Sequence, residues 1–97
     1  MAYVVTAKWT ARRGEEELVL RAIKKLIEPS RAEPGNSFYQ ASRDPDDPRV
    51  FFFFEIYDDE AGYKAHGESE HFQRYGFGDA IPLLENRERR FYLTVDG

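Results

Sequence analysis

Two histidines, His66 and His71, carry side chains that could do chemistry near neutral pH. An imidazole titrates in this range, so it can accept a proton from an acidic phenol or from a C–H group beside a carbonyl. The structural alternative is a histidine that caps backbone groups at the start of a helix or stacks on Phe72. We predict that His66 is a general base or proton relay, and we place His71 in the same catalytic site with a smaller role.

The spacing of the two histidines does not match a metal-binding motif. Two helical ligands share a face when they are about four residues apart, whereas these histidines would lie about 140° apart on a continuous helix. No third ligand is indicated nearby. The chain contains no cysteine, which excludes a thiolate zinc site, an iron–sulfur cluster, a disulfide and a thiol nucleophile. We therefore predict that no metal is bound.

Several aromatic residues and one carboxylate are further candidates. The aromatic residues predicted to line a substrate pocket are Trp9, Phe72, Tyr75 and Phe77, although such residues also commonly form plain core. Glu55 interrupts an otherwise apolar strand, and a buried unpaired charge is too costly to leave without a partner. For Glu55 we favour an ion pair with Arg89 or Arg90 in a subunit interface over a role as a pocket carboxylate.

Composition limits the classes of protein to consider. The 97 residues include 14 Lys+Arg and 18 Asp+Glu, and hydrophobic residues make up 41%. This favours one folded domain over residues 1–97. No basic stripe is present for nucleic acid, and the longest apolar run, over residues 50–54, is far shorter than the ~20 residues of a membrane helix. No secretory signal begins the chain, so we predict a cytoplasmic protein that binds neither nucleic acid nor membrane.

Alternation and turn residues predict the elements that position these side chains. The first helix should end at Pro29, and the second helical region is interrupted by Gly76, Gly78 and Pro82. The order of elements, β-α-β-β-α-β, predicts a ferredoxin-like α+β fold with a four-stranded antiparallel sheet and helices on one face. The predicted strands cover residues 3–10, 37–42, 49–57 and 90–95, and the predicted helical segments begin at residues 15, 59 and 69.

The third strand predicts an assembly. Side chains alternate between faces, so Val50, Phe52, Phe54 and Ile56 share one face and Phe51, Phe53, Glu55 and Tyr57 share the other. Helices can cover only one of these faces. We predict that the face with Phe51, Phe53, Glu55 and Tyr57 packs on a second copy of the sheet in a homodimer. The alternative is a monomer with a partly exposed aromatic face.

Several segments resemble the antibiotic biosynthesis monooxygenase (ABM) superfamily, and the resemblance as a whole runs from about Gly14 to Leu84. They are Ser30-Arg31-Ala32-Glu33-Pro34-Gly35, Phe38-Tyr39, Phe53-Phe54-Glu55-Ile56-Tyr57-Asp58-Asp59, Ala65-His66 and Glu70-His71-Phe72. The resemblance implies a dimer whose two sheets pack as an α+β barrel. It also implies that His66 and His71 lie at the mouth or wall of the pocket.

The residues that a haem-degrading branch of the superfamily uses are absent here. That branch has an asparagine, a tryptophan and a histidine where this chain aligns Ala7, His66 and Gly76. No flavin or nicotinamide fingerprint is present either, since Gly76-x-Gly78 is not a dinucleotide motif. We therefore predict that the protein works without a cofactor.

The resemblance implies a cofactor-independent monooxygenase that oxidises an electron-rich quinol, anthrone or polycyclic phenol with dioxygen. One alternative is an isomerase of a small oxygenated metabolite, which needs the same base but no dioxygen. The other is a non-catalytic module for ligand binding or dimerisation, because this fold hosts such domains too.

Overall fold

The computed structural model describes residues 1–96 and confirms the predicted ferredoxin-like fold. Its four strands form an antiparallel sheet in the order β2-β3-β1-β4, so β3 and β1 are the central strands. The strands are β1 (Tyr3–Ala11), β2 (Asn36–Arg43), β3 (Val50–Tyr57) and β4 (Leu84–Leu93).

Helical segments cover one face of this sheet. Glu16 and Glu17 open the first helix, where carboxylates suit the positive end of the helix dipole. Asp59 caps the second helix, because its carboxylate accepts a hydrogen bond from the amide of Gly62 at 3.0 Å. No helix within residues 1–96 is long and apolar enough to cross a membrane. The segments are α1 (Glu16–Arg31), α2 (Glu60–Glu68), a π-helix (Phe72–Ala80) and a 3₁₀ turn (Ile81–Leu83).

The predicted orientation of β3 was wrong. Phe51, Phe53, Glu55 and Tyr57 were expected to face a partner subunit, but all four are buried on the helix side, where Phe51 is 1% exposed. The register with β1 explains this, because Phe51 lies opposite Trp9, and paired residues share a face. The other face of β1 carries Thr6, Lys8 and Thr10, which are poor core residues.

The other side of the sheet is left uncovered in the single chain. Its apolar centre consists of Phe38, Phe52, Phe54 and Ile56, and we call these four residues the open face. Phe52 is 43% exposed and Phe54 is 39% exposed. The rings of Phe38 and Phe54 meet edge to face with centroids 5.8 Å apart. An apolar face therefore exists, but it is the opposite one to that predicted.

Two predicted boundaries were also wrong. Helix α1 continues through Pro29 to Arg31, and the Ala32 amide still donates to the carbonyl of Glu28 at 3.1 Å. Packing of the last turn, in which Ser30 is buried, outweighs the effect of the proline. Strand β4 begins at Leu84 rather than at residue 90. The polar residues before position 90 do not look like a strand in the sequence, but they pair with β1.

A close backbone contact joins the loop after α1 to the start of α2. A Cβ added to Gly62 would lie 2.9 Å from the carbonyl oxygen of Gly35. The same carbonyl accepts a hydrogen bond from the Asp58 amide at 2.9 Å. Glycine at position 62 therefore allows α2 to lie directly against the loop that carries Glu33.

Candidate functional site

A cavity of about 120 Å³ lies between the sheet and the segment formed by α2 and the π-helix. All four strands contribute to its wall, and α2 contributes Tyr63, Lys64, His66 and Gly67. The wall is mainly aromatic, with a few ionisable side chains that converge on it. This combination is typical of a site for a small ligand.

His66 is the histidine that reaches the cavity. Its side chain lines the wall while the residue is only 2% exposed. Its Nδ1 lies 2.8 Å from Oε2 of Glu33. An ionised carboxylate can only accept, so a neutral His66 would carry its proton on Nδ1 and leave Nε2 unprotonated. Glu33 thus holds the imidazole in the tautomer that a general base requires.

His71 contacts the same carboxylate from outside the cavity. Its Nε2 lies 2.5 Å from Oε2 of Glu33, but it does not line the cavity wall. The expected separation of the two histidines around one helix was wrong, because α2 ends at Glu68 and Ser69 is extended. His71 therefore supports Glu33 and does not face the ligand space.

The contacts with His66 and His71 favour the ionised form of Glu33. Burial would raise the pKa of the Glu33 carboxyl, but hydrogen bonds and charge from His66, and then from His71, outweigh burial and lower it. The carboxylate form is therefore the one that the site stabilises near neutral pH.

The same three side chains are the residues that could hold a metal. One ligand atom from each of Glu33, His66 and His71 lies within 4.8 Å of the others. The expectation that no third ligand is nearby was wrong, since Glu33 supplies it. A divalent cation would have to replace the protons that the imidazoles share with Oε2, because a ligating nitrogen cannot carry a proton.

Three of the four predicted aromatic residues meet in the cavity wall. Trp9, Phe72 and Phe77 line it, and the rings of Phe72 and Phe77 pack at right angles with centroids 5.2 Å apart. In a π-helix, residues five apart are hydrogen-bonded neighbours, so these two side chains share a face. Tyr75 lies outside the cavity, where the Lys25 ammonium sits 5.5 Å from its ring centroid.

Glu55 is a cavity residue and not an interface residue. It is 5% exposed, lines the wall, and accepts a hydrogen bond from the Tyr57 hydroxyl at 2.5 Å. The predicted ion pair with Arg89 or Arg90 is not among the ion pairs of residues 1–96. Burial raises the pKa of the Glu55 carboxyl, so the neutral acid is favoured.

We expect Glu55→Gln to raise the melting temperature near pH 7 by a few degrees. The folded-state pKa of Glu55 lies above the ordinary value of 4.5, so the unfolded chain releases a proton that the folded chain keeps, and stability falls as pH rises above 4.5. A glutamine amide resembles the neutral acid and has no proton to release. Thermal melts across this range should show the gain disappearing below about pH 4.

The control for this prediction is Glu68→Gln, because Glu68 is exposed at the end of α2. A gain for Glu55→Gln that did not depend on pH would contradict the assignment of Glu55 as a neutral acid.

The site residues that sequence reasoning missed are Glu33, Arg87 and Arg89. Glu33 is the acidic residue of the Ser-Arg-Ala-Glu-Pro-Gly segment that resembles the ABM superfamily. Its place in that motif was the one signal that could have indicated a site residue. Arg87 and Arg89 both line the cavity from β4. Arg87 and Arg89 are two residues apart, so they share a face of a strand. This spacing indicates a common site only once the strand is known to start at Leu84.

A haem group does not fit the residues at the positions that the haem-degrading branch uses. A Cβ added to Gly76 would lie 3.0 Å from the ring of Phe72. A histidine at that position would therefore displace Phe72 from the wall. Ala7, which also lines the cavity, has no polar group to offer.

The fold and the site define a class of small α+β proteins in which a ferredoxin-like sheet and its helices enclose an aromatic cavity with a histidine–carboxylate pair. The profile of the family described as antibiotic biosynthesis monooxygenase matches residues 2–76. The chain therefore belongs to the antibiotic biosynthesis monooxygenase (ABM) family.

Individual relatives agree with this assignment. The Bacillus subtilis protein named "Putative monooxygenase YcnE" is 34% identical over 61 residues, which is 63% of this chain and 64% of that protein. The crystal structure of PA3566 from Pseudomonas aeruginosa matches with a TM-score of 0.89 and 31% identity, over 97% of this chain and 94% of that one. Protein SO0527 from Shewanella oneidensis matches with a TM-score of 0.86 and 28% identity, over 94% and 88%.

Proposed function

We propose that the protein is a cofactor-independent monooxygenase that oxidises an electron-rich quinol, anthrone or polycyclic phenol with dioxygen. The observation that carries this proposal is the 2.8 Å contact between Glu33 Oε2 and His66 Nδ1 beside an aromatic cavity. This arrangement supplies an oriented base, an apolar wall for a planar ring and restricted access for water. Membership of the ABM family supports the monooxygenase class.

The chemistry balances without an added reductant. His66 takes a proton from the reactive C–H of an anthrone, and the delocalised anion transfers one electron to dioxygen. The radical pair combines into a peroxide anion, which takes the proton back from His66 to give a hydroperoxide. Loss of the second proton from the same carbon and cleavage of the O–O bond then leave a new C=O group and release water. One oxygen atom enters the product and the other enters water, so the substrate provides all four electrons.

An isomerase is the second candidate, and Glu55 is the observation that favours it. Glu55, whose raised pKa favours the neutral acid, lines the same cavity as the His66 imidazole, so one could donate a proton while the other removes one. Such a pair can move a proton between a carbon and a neighbouring oxygen with no redox change. This reaction requires no dioxygen.

The test is oxygen uptake by the purified protein with an anthrone or with menadiol, against the uncatalysed rate. Uptake above that rate supports the monooxygenase if, with oxygen-18-labelled dioxygen, one labelled atom enters the organic product and the other enters water. Conversion of a hydroxyketone under anaerobic conditions supports the isomerase. Failure of both reactions favours a non-catalytic binding module.

We also propose that a second copy of the chain covers the open face. Fully burying one phenylalanine is worth about 1.5–3 kcal/mol, so exposure of Phe52 and Phe54 together is unfavourable. The face lies on the sheet side opposite the helices, and its four residues come from β2 and β3. A symmetric sheet-to-sheet dimer would bury it and would leave both cavities on the outer sides.

We expect the purified protein to be colourless and to hold no stoichiometric metal, flavin or haem. The reason is that both imidazoles use their protons to bind Glu33, and that the positions aligned with haem contacts are Ala7 and Gly76. Visible absorbance and elemental analysis after dialysis check this. A metal that persists in the wild type and is lost in Glu33→Gln would instead assign the Glu33, His66 and His71 cluster as a metal centre.

A further inference from the structure

We propose that the cavity binds its substrate by a carboxylate group attached to the aromatic ring system, with Arg87 as the main recognition residue and Arg89 at the rim. The inference rests on the proposed function, since it narrows the substrates of that site. It concerns which ring systems are bound and not how they react.

The guanidinium of Arg87 is held in the cavity wall by aromatic rings. Its carbon Cζ lies 6.0 Å from the ring centroid of Trp9, 6.0 Å from that of Phe72 and 5.6 Å from that of Phe77. Contacts of this kind fix the position of a cation but do not neutralise its charge. Arg87 is thus oriented before a ligand arrives.

No partner within residues 1–96 neutralises this charge. None of the ion pairs in that range includes Arg87 or Arg89. Glu55 is the acidic residue in the cavity wall, and it is hydrogen-bonded to Tyr57 in an environment that favours its neutral form. Burial and then the charge of Arg89 lower the pKa of Arg87 below its ordinary value. An anion in the cavity would offset both the cost of burying the Arg87 guanidinium and its repulsion by Arg89.

Two buried donors of the cavity wall also lack acceptors. Nε of Arg87 and Nε1 of Trp9 are enclosed and make no hydrogen bond. These residues are opposite each other in the pairing of β1 with β4. An unsatisfied buried donor costs about 1–3 kcal/mol, so a ligand that brings acceptor oxygens to this point would gain from both groups.

Carboxylate is the anion that this geometry favours. The planar guanidinium matches the two oxygens of a carboxylate, and the flanking rings favour a planar group that continues into the ring system. Lys64 and Arg89 add positive charge to the wall, and Arg89 is held by a hydrogen bond from Nη1 to the Tyr63 hydroxyl at 2.9 Å. The cavity is therefore cationic although the chain carries a net charge of −4.

The experiment compares ortho-hydroxynaphthoate with its neutral amide, ortho-hydroxynaphthamide, by isothermal titration calorimetry under nitrogen. Quenching of Trp9, the single tryptophan of the chain, reports binding in the cavity. We expect the acid to bind at least about tenfold more tightly than the amide. Arg87→Gln should reduce this preference to about twofold or less, and Arg87→Lys should give an intermediate value.

Arg21→Gln is the matched control, because Arg21 is exposed on α1 and should keep the full preference. Thermal melts check that each variant is folded. Equal affinity for acid and amide, no binding of either at about 1 mM, or a preference that survives in folded Arg87→Gln would overturn the proposal. These outcomes are separate from failure of the proposed function, since oxygen uptake with a neutral anthrone does not require the carboxylate.

Discussion

His66→Ala should lower kcat/KM for anthrone or quinol oxidation by at least about tenfold, because loss of a general base typically lowers rates by ~10²–10⁴-fold. His66 lines the cavity, and Glu33 holds its Nδ1, so the variant removes the group that would accept the substrate proton. Oxygen uptake at several substrate concentrations, beside a thermal melt, measures the effect.

Two variants separate a base from a structural residue. His71→Ala should lose less activity, because His71 contacts Glu33 but does not line the cavity. Glu33→Gln should lower kcat with little change in KM, since it disturbs the orientation of His66 without removing a wall residue. Full activity in His66→Ala, or a loss that only follows unfolding, would show that His66 is structural.

Phe54→Glu should convert the protein from a dimer to a monomer. The wild type should sediment at about twice the chain mass of 11.4 kDa, because the proposed dimer covers the open face with a second copy. Phe54 is 39% exposed near the centre of that face. A carboxylate there would have to be buried without a partner, so dimer affinity should fall on the order of 10²-fold or more.

The control for assembly is Leu18→Glu, which places the same charge at an exposed position on the helix side. It should sediment as the wild type does. A wild-type protein that stays monomeric at micromolar concentration would refute the sheet-to-sheet dimer, as would a Phe54→Glu variant that remains dimeric.

The sequence was sufficient to predict the number and order of the strands and the fold, but not where β4 begins or which face of β3 is buried. An alternating strand with aromatic residues on both faces does not indicate which face is the core. That choice depends on the pairing of Phe51 with Trp9 and of Phe53 with Ala7. The polar face of β1, which contains Lys8, indicates which side of the sheet is exposed. This information reaches β3 only through the register between the two strands.

Prediction of the site was limited for a similar reason. His66, Trp9, Phe72 and Phe77 could be proposed from residue type and resemblance. The role of Glu33 depends on a contact with His66 across 33 positions of sequence, which local patterns cannot provide.

The same limit applied to β4 and to the helix before it. The charged run that contains Arg87 concealed a strand, because both of its faces carry polar side chains. The π-helical spacing that brings Phe72 and Phe77 together and turns Tyr75 away has no simple signature in sequence.

Different secondary-structure elements supply different parts of the cavity wall. This division affects how the substrate range of such a protein could change in evolution. Glu33 and His66 come from a loop and from α2, which the contact between Gly35 and Gly62 fixes together. Arg87 and Arg89 come from β4, at the far edge of the sheet. With the roles proposed above, substitutions on β4 would change which molecules are accepted and would leave the Glu33–His66 pair intact. Reactivity and selectivity would then be separately evolvable, and a library restricted to positions 87 and 89 would explore new substrates without changing the proposed base.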